Sequence, residues 1–243
     1  GALARWLPSG FVERRAPELV SPSPFTFGCS SALLAGPHGL VGRNLDFPGV
    51  GYWDRYPVLQ SFEIPGKLRY VAVTSAGIPF AGITGVNEAG LYIALHQHYS
   101  RDFRRRGIAP FFLAEDVLGM CRTVAEAIEA VSRGPVASAW AFLIADAAGN
   151  RAIVERSPKT VGARHAEALL THSNFFQSDA CRPHEYAASE RMNWDNWYRN
   201  ERLRRRLGVD STATVADVAS ALSDHVDDFW GEEKPVNRIV AQL

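Results

Sequence analysis

From Gly28 onward the chain is written in short apolar runs broken by glycine. Runs of that length, bounded by turn residues, read as strands. Residues 29–34 and 40–45 flank Ala35-Gly36-Pro37-His38-Gly39, and the two runs predict a β-hairpin. Residues 69–75 and 91–98 are also β-like, with Asn87-Glu88-Ala89-Gly90 as the turn feeding the second. A further hairpin is expected from 139–146 and 151–155 around Ala148-Gly149-Asn150, and another strand from 167–171.

Between and after these runs the period changes. Phe111, Phe112, Ala114, Val117, Leu118 and Cys121 recur near helical spacing. Residues 124–131 predict a second helix, opened by Thr123 and Glu126 at capping-box spacing. An arginine-rich helix is expected over 189–207, and another over 214–225 with Thr214 and Asp217 at the same spacing. Strands, helices, strands and helices in that order do not form a regular βαβ repeat; they predict an α+β layered fold. Residues 1–28 have a different texture. Arg5, Arg14 and Arg15 sit among prolines, and Ser21-Pro22-Ser23-Pro24 reads as an extended polar connector.

Composition narrows the function classes. Lys plus Arg and Asp plus Glu balance at 26 each, so net charge offers no reason to expect nucleic acid or an anionic membrane surface as partner. The basic stretches 101–106 and 202–206 read as solvated faces. Three cysteines, Cys29, Cys121 and Cys181, with no CxxC pair, give neither a disulfide framework nor a zinc ribbon. No apolar run approaches the roughly 20 residues of a membrane helix. The first ten residues lack a signal-peptide layout, and the chain does not open with Met, which leaves room for a removed upstream segment. Localisation stays open, the cytoplasm ahead of a secreted or periplasmic site.

The chemistry centres on Phe27-Gly28-Cys29-Ser30-Ser31. A cysteine attacks a carbonyl as thiolate and needs a base. If the chain is cut before Cys29, its own α-amine, with a reference pKa of about 7.7–8.0, becomes that base. Glycine before the cysteine tolerates the backbone that an N→S acyl shift requires. A buried structural cysteine opening a strand would look the same. Gly42-Arg43-Asn44-Leu45-Asp46-Phe47 follows on the return strand. Strict alternation sets Arg43 opposite Asn44 and Asp46. An early strand end near Leu45, favoured by Pro48 and Gly49, would bring Arg43 and Asp46 back together.

These two segments together resemble the cysteine N-terminal-nucleophile (Ntn) hydrolases. The likeness is strongest to the acyl-coenzyme A:6-aminopenicillanic acid acyltransferases and their bacterial relatives, the C45 peptidase family. It is more distant to choloylglycine hydrolases, penicillin V acylases and acid ceramidases. Gly85-Val86-Asn87-Glu88-Ala89-Gly90-Leu91 is similar to the family's GxNExGL turn. The run 142–155, Leu170-Thr171-His172-Ser173-Asn174-Phe175 and Ser189-Glu190-Arg191 follow in family order.

The resemblance implies a four-layer αββα sandwich, with residues 1–28 as a propeptide or small α-chain and 29–243 as the catalytic domain. It implies cleavage between Gly28 and Cys29, after which the propeptide could stay associated. Cys29 would be the nucleophile, Arg43 and Asp46 would tune its amine and thiolate, and Asn174 would serve the oxyanion. Arg191 would pair with the thiolate or an acidic group. Gln97, or His96 one place away, would be the second oxyanion donor. Apart from the resemblance, the aromatics Phe47, Tyr52, Trp53 and Tyr56 cluster beside the motif. Core packing is the default for any one of them; as a cluster they would line an acyl-chain pocket for a small N-acylated substrate, with His96 and Phe175 as further substrate contacts. No cofactor and no metal are implied, and a homo-oligomer is possible. Relatives continue past the position of Leu243, which leaves open whether the chain is one piece of a longer polypeptide. Hydrolase and acyltransferase are not separable from these residues. Two other classes stand beside this one: a binding module on the same fold, and a cysteine hydrolase using a separate histidine such as His172. The run His96-Gln97-His98 also invites a metal reading, but no second ligand pair with clear spacing accompanies it.

Overall fold

The computed structural model describes residues 28–36, 39–46, 56–77, 84–165, 167–186, 190–208, 213–224 and 238–242. Two antiparallel sheets organise them. The smaller contains β1 (Gly28–Leu34), β2 (Leu40–Asp46), β10 (Leu169–His172) and β11 (Arg238–Gln242), in the order β10-β1-β2-β11. The larger is a seven-stranded meander of β3 (Pro57–Phe62), β4 (Tyr70–Ser75), β5 (Thr84–Asn87), β6 (Tyr92–Gln97), β7 (Trp140–Ala145), β8 (Arg151–Arg156) and β9 (Val161–His165). The helices are α1 (Pro110–Met120), α2 (Val124–Ser132), α3 (Glu190–Leu207) and α4 (Val215–Leu222), with a 3-10 turn at Arg182–His184.

Strand alternation assigns the layers. On β1, Ala32 and Leu34 pack with Leu203, Leu207, Val218 and Leu222 of α3 and α4. Leu33 points the other way, joining Val41 and Leu170 against Tyr92, Ala94, Leu143 and Ile153 of the larger sheet. The far face of that sheet, carrying Ile93, Leu95, Phe142 and Val154, packs on Leu113, Val117, Leu118 and Val131 of α1 and α2. The result is helix, sheet, sheet, helix: the expected αββα sandwich. Every position of β1 and β7 is buried, the signature of strands covered on both faces.

Several sequence expectations need correction. Strands β3 and β9 lie beyond the sequence reading because they are the two edges of the meander and largely exposed; on β3, Phe62 packs on the core beside Tyr70. Strand β2 runs through Asp46 instead of ending near Leu45. At α2, the Thr123 side chain accepts from Glu126 N, but the Glu126 carboxylate turns to Arg122 N, so only half of a capping box forms. At α4 the box is complete between Thr214 and Asp217, and the helix ends at Leu222.

Two turn residues tie the outer helices to the meander. Asn87 Oδ1 accepts from Ala89 N and Leu91 N, while its Nδ2 donates to Leu118 O and Cys121 O at the end of α1. In that turn Gly90 has φ +79°, and a Cβ there would stand 2.8 Å from the Ala147 Cβ. Asp146 does the matching work for α2, accepting from Val124 N at the helix start and from Ala148 N and Asn150 N in its own turn.

Candidate active site

Cys29 is the second residue of β1, buried, and paired with Leu45 across the hairpin. Three elements converge on it. Its main-chain N–H donates to Asn174 Oδ1 at 2.5 Å. Its sulfur accepts from Arg43 Nη2 at 3.4 Å. Its carbonyl accepts from Arg199 Nη1 at 2.6 Å.

Arg43 is fully buried between the sheets. Its Nη1 donates to Thr84 Oγ1 on β5 at 2.7 Å, so the guanidinium bridges the two sheets beside the thiol. Its strand neighbour Asn44 points the opposite way, donating from Nδ2 to Leu222 O in the helical layer. Gly28 stands opposite Asp46 in the hairpin register, which sets the Asp46 backbone beside the expected cleavage bond. The Asp46 and Arg191 side chains, and all of Phe47, Tyr52 and Trp53, lie outside the described residues.

Asn174 sits just past β10, held from three sides. Its Nδ2 donates to Gln97 O at 2.9 Å, its carbonyl accepts from Asn196 Nδ2 at 3.1 Å, and its Oδ1 also receives Arg199 Nη2 at 3.3 Å. Two donors on one side and a carbonyl on the other fix which way the amide faces. Gln97, expected as an oxyanion donor, thus meets Asn174 through its main-chain oxygen. Phe175 is half-buried, and its neighbour Phe176 is the deeply buried ring, 4.3 Å from His98.

Arg199 is the residue that sequence reasoning missed. Besides Cys29 O and Asn174 Oδ1 it reaches Ser30 Oγ at 2.9 Å, Asn196 Oδ1 at 2.5 Å and Asp195 Oδ2 at 2.9 Å. A Cβ added to Gly28 would lie 3.1 Å from its Cζ. The signal was present in the helix: buried Asp195, Asn196 and Asn200 surround Arg199 on the stripe that continues into the core residues Leu203 and Leu207. Polar residues in the core-facing stripe of a helix have to find buried partners. Tyr99 belongs to the same neighbourhood; its phenol is pushed up to about 12, by burial first and then by Cys29.

A second polar cluster lies on the inner side of β1. Ser31, one alternation step from Cys29, has its Oγ 2.7 Å from His96 Nε2. His96 Nδ1 is 3.2 Å from His172 Nδ1, and His172 Nε2 is 3.1 Å from Glu155 Oε1. All four side chains are buried. Burial would push the Glu155 carboxyl up, but hydrogen bonds donated by His172 and Ser178 hold it below the usual carboxylate range. Burial holds His172 and His96 below the usual imidazole range, reinforced at His96 by Arg43. The His172–Glu155 contact is therefore a hydrogen bond from a neutral imidazole to a carboxylate. Both ring nitrogens of His172 are engaged here, and its link to β1 passes through His96. Among the described residues no group of three or more His, Cys, Asp or Glu is arranged to hold a metal ion. Among them, too, no helix is long and apolar enough to cross a membrane.

A model of the acyl-coenzyme A:6-aminopenicillanic acid acyl-transferase family matches residues 34–230. Among solved structures, the Caenorhabditis elegans N-acylethanolamine-hydrolyzing acid amidase ortholog is similar at TM-score 0.63 and 18% identity, covering 87% of this chain and 92% of that one. Penicillin V acylase from Agrobacterium tumefaciens follows at TM-score 0.46 and 16% identity, over 79% and 70%. A variant of conjugated bile acid hydrolase from Clostridium perfringens has TM-score 0.45 and 15% identity, over 58% and 52%. No curated protein sequence matches significantly.

Proposed function

The chain belongs to the acyl-coenzyme A:6-aminopenicillanic acid acyl-transferase family of Ntn hydrolases, and from that premise we propose that it cuts itself between Gly28 and Cys29 and then transfers acyl groups through a Cys29 thioester. The observation that carries this reading is the treatment of Cys29 itself. Its nitrogen, sulfur and carbonyl oxygen are each held by a different polar side chain, Asn174, Arg43 and Arg199. Any buried cysteine needs partners for its main-chain N–H and carbonyl, but a structural one does not need a buried guanidinium at its sulfur.

In turnover the Cys29 thiolate attacks the carbonyl of a small N-acylated substrate. Arg43, 3.4 Å from the sulfur, offsets the thiolate charge in a site dry enough for the interaction to count. The freed amine, kept in place by Asn174 Oδ1, takes the thiol proton and returns it to the leaving amine. Asn174 Nδ2 keeps one hydrogen beyond its bond to Gln97 O, and that hydrogen serves the oxyanion. Water or an acceptor amine then takes the acyl group. Residues 1–28 act as the propeptide and 29–243 as the catalytic domain.

Intact mass spectrometry of wild type and Cys29→Ala tests the cleavage. The expected result is a fragment beginning at Cys29 in the first and none in the second. Masses equal apart from the substitution would overturn the reading. The amidase ortholog makes N-acyl ethanolamines the first substrates to assay, followed by N-acyl amino acids, β-lactams and bile-salt conjugates.

A further inference from the structure

Self-cleavage poses a problem that turnover does not. Before the Gly28–Cys29 bond is cut, the Cys29 nitrogen is a peptide N–H that donates to Asn174 and cannot act as a base. Another group has to take the thiol proton in the uncut chain.

The buried chain running inward from Ser31 has the right polarity for that task. Glu155 Oε1 and Oε2 already accept from Gln177 N, Ser178 N and Ser178 Oγ, so the carboxylate is an acceptor throughout. His172 Nε2 must therefore donate to it, which leaves His172 Nδ1 as an acceptor in the neutral ring. His96 Nδ1 then donates to His172, and the Ser173 carbonyl 3.5 Å away agrees with a proton on that nitrogen. His96 Nε2 is left with a lone pair, and the Ser31 hydroxyl donates to it. Every bond points from Ser31 toward Glu155. That is the arrangement of a hydroxyl prepared to give up its proton to an imidazole backed by a carboxylate.

Position supports the same role. Ser31 shares the inner face of β1 with Cys29, about 6.6 Å of strand away. Arg43, opposite Ser31 in the hairpin register, reaches back to the Cys29 sulfur. His172 stands two residues before Asn174, so the chain also joins the strand carrying Cys29 to the loop holding its nitrogen. The charged and titratable groups facing His96 are Arg43, His98 and His172; those facing His172 are Glu155, His96, His98, Arg164 and Arg199.

We propose that Ser31, His96, His172 and Glu155 form the base relay of the self-cleavage step, distinct from the α-amine that serves turnover. The inference rests on the autoprocessing reading above. At that strand spacing the Cys29 thiol gives its proton to Ser31 Oγ through one intervening water, as the Ser31 proton passes to His96 Nε2. The sulfur bonds to the Gly28 carbonyl carbon, and the Gly28 C–N bond breaks. The proton returns through Ser31 to the departing Cys29 nitrogen. Water then cleaves the Gly28 thioester, leaving a Gly28 carboxylate, the Cys29 thiol and the free amine.

The test follows precursor cleavage of the full chain during cell-free synthesis and, separately, turnover per cleaved chain. Ser31→Ala is expected to slow cleavage by about 100-fold or more, the usual scale of a lost general base. Its loss in turnover should be at least tenfold smaller. Ser31→Thr, which keeps the hydroxyl, is expected to recover most of the cleavage rate. Glu155→Gln, which keeps the volume, is expected to slow cleavage as well and stands in if Ser31→Ala does not fold. Because the relay acts before the thioester forms, hydroxylamine should release no fragment from Ser31→Ala. Wild-type cleavage rates in Ser31→Ala and Glu155→Gln would overturn the relay. So would parallel losses of cleavage and turnover, or release by hydroxylamine. An uncut wild-type chain would overturn the autoprocessing reading itself, a result visible in the control.

Discussion

Asn174 Oδ1 meets the main-chain nitrogen of Cys29 at 2.5 Å across 145 residues of sequence, so the end of β10 and the start of β1 are locked together at one atom pair. Once Cys29 is N-terminal, that atom pair orients the amine. Asn174→Ala removes both the anchor and the bond to Gln97 O, and kcat/KM is expected to fall by about 10²–10³. Asn174→Asp is more diagnostic. A carboxylate beside the amine favours its charged form and raises its pKa, so the ascending limb of the kcat/KM–pH profile should move to higher pH. An unmoved limb with lost activity would mean that the nitrogen is not the base.

Arg199 spans Cys29 O, Ser30 Oγ, Asn174 Oδ1 and Asn196 Oδ1 with one planar fork, a geometry that an ammonium cannot copy. Arg199→Lys is therefore expected to lose at least tenfold in turnover, and Arg199→Ala more, with a lowered melting temperature from the acceptors left behind. Arg191, the arginine singled out by motif order, lies in the first turn of the same helix. Parallel kinetics on Arg191→Ala decide between them; a larger loss there would return the role to Arg191.

Gly28 lies under the same guanidinium. An added Cβ would stand 3.1 Å from Arg199 Cζ, a contact that a flexible side chain relieves by shifting a few tenths of an ångström. Gly28→Ala is expected to slow cleavage modestly, and Gly28→Val, with its branched side chain, to stall it. Gel analysis of precursor and product over time reads this directly. Equal rates for all three residues would show that Arg199 is not part of the cleavage geometry.

What the sequence disclosed follows physical lines. The hairpin around Cys29, the Asn87 and Asp146 turns and the α4 capping box were legible because turn chemistry and capping are local. The edge strands β3 and β9 were not, since a largely exposed edge carries no sustained apolar alternation to detect. Arg43 and Asn174 were singled out by motif order, which carries no distances; their contacts with Cys29 come from the fold. Arg199 was passed over because an arginine-rich helix reads as solvated until its partners are known. The relay was illegible for a related reason: Ser31, His96, Glu155 and His172 lie on four strands of two sheets, and only sheet register and packing join them.

His98 completes the interior of the site at a measurable cost. Its ring lies 5.0 Å from His172 and 4.3 Å from Phe176, and neither ring nitrogen has a hydrogen-bond partner among the described residues. Burial first, then the neighbouring His172, pushes its pKa down to about 3. The unfolded chain binds a proton at His98 below pH ~6.5 while the folded chain refuses it until about pH 3, so stability falls with falling pH across that window. By pH 5 the loss from this one residue is about 2 kcal/mol relative to neutral pH. His96 and His172 are depressed in the same direction and steepen the fall. Glu155 adds a further loss below its ordinary carboxylate range, since its stabilisation disappears as pH falls toward 2. His98→Phe should pack against Phe176 without the ionisation penalty. Melting temperatures from pH 7.5 to 4.5 are expected to drop less steeply in His98→Phe than in wild type, with the two close at pH 7.5. Parallel curves over the whole range would mean that His98 takes up its proton over the same pH range folded as unfolded.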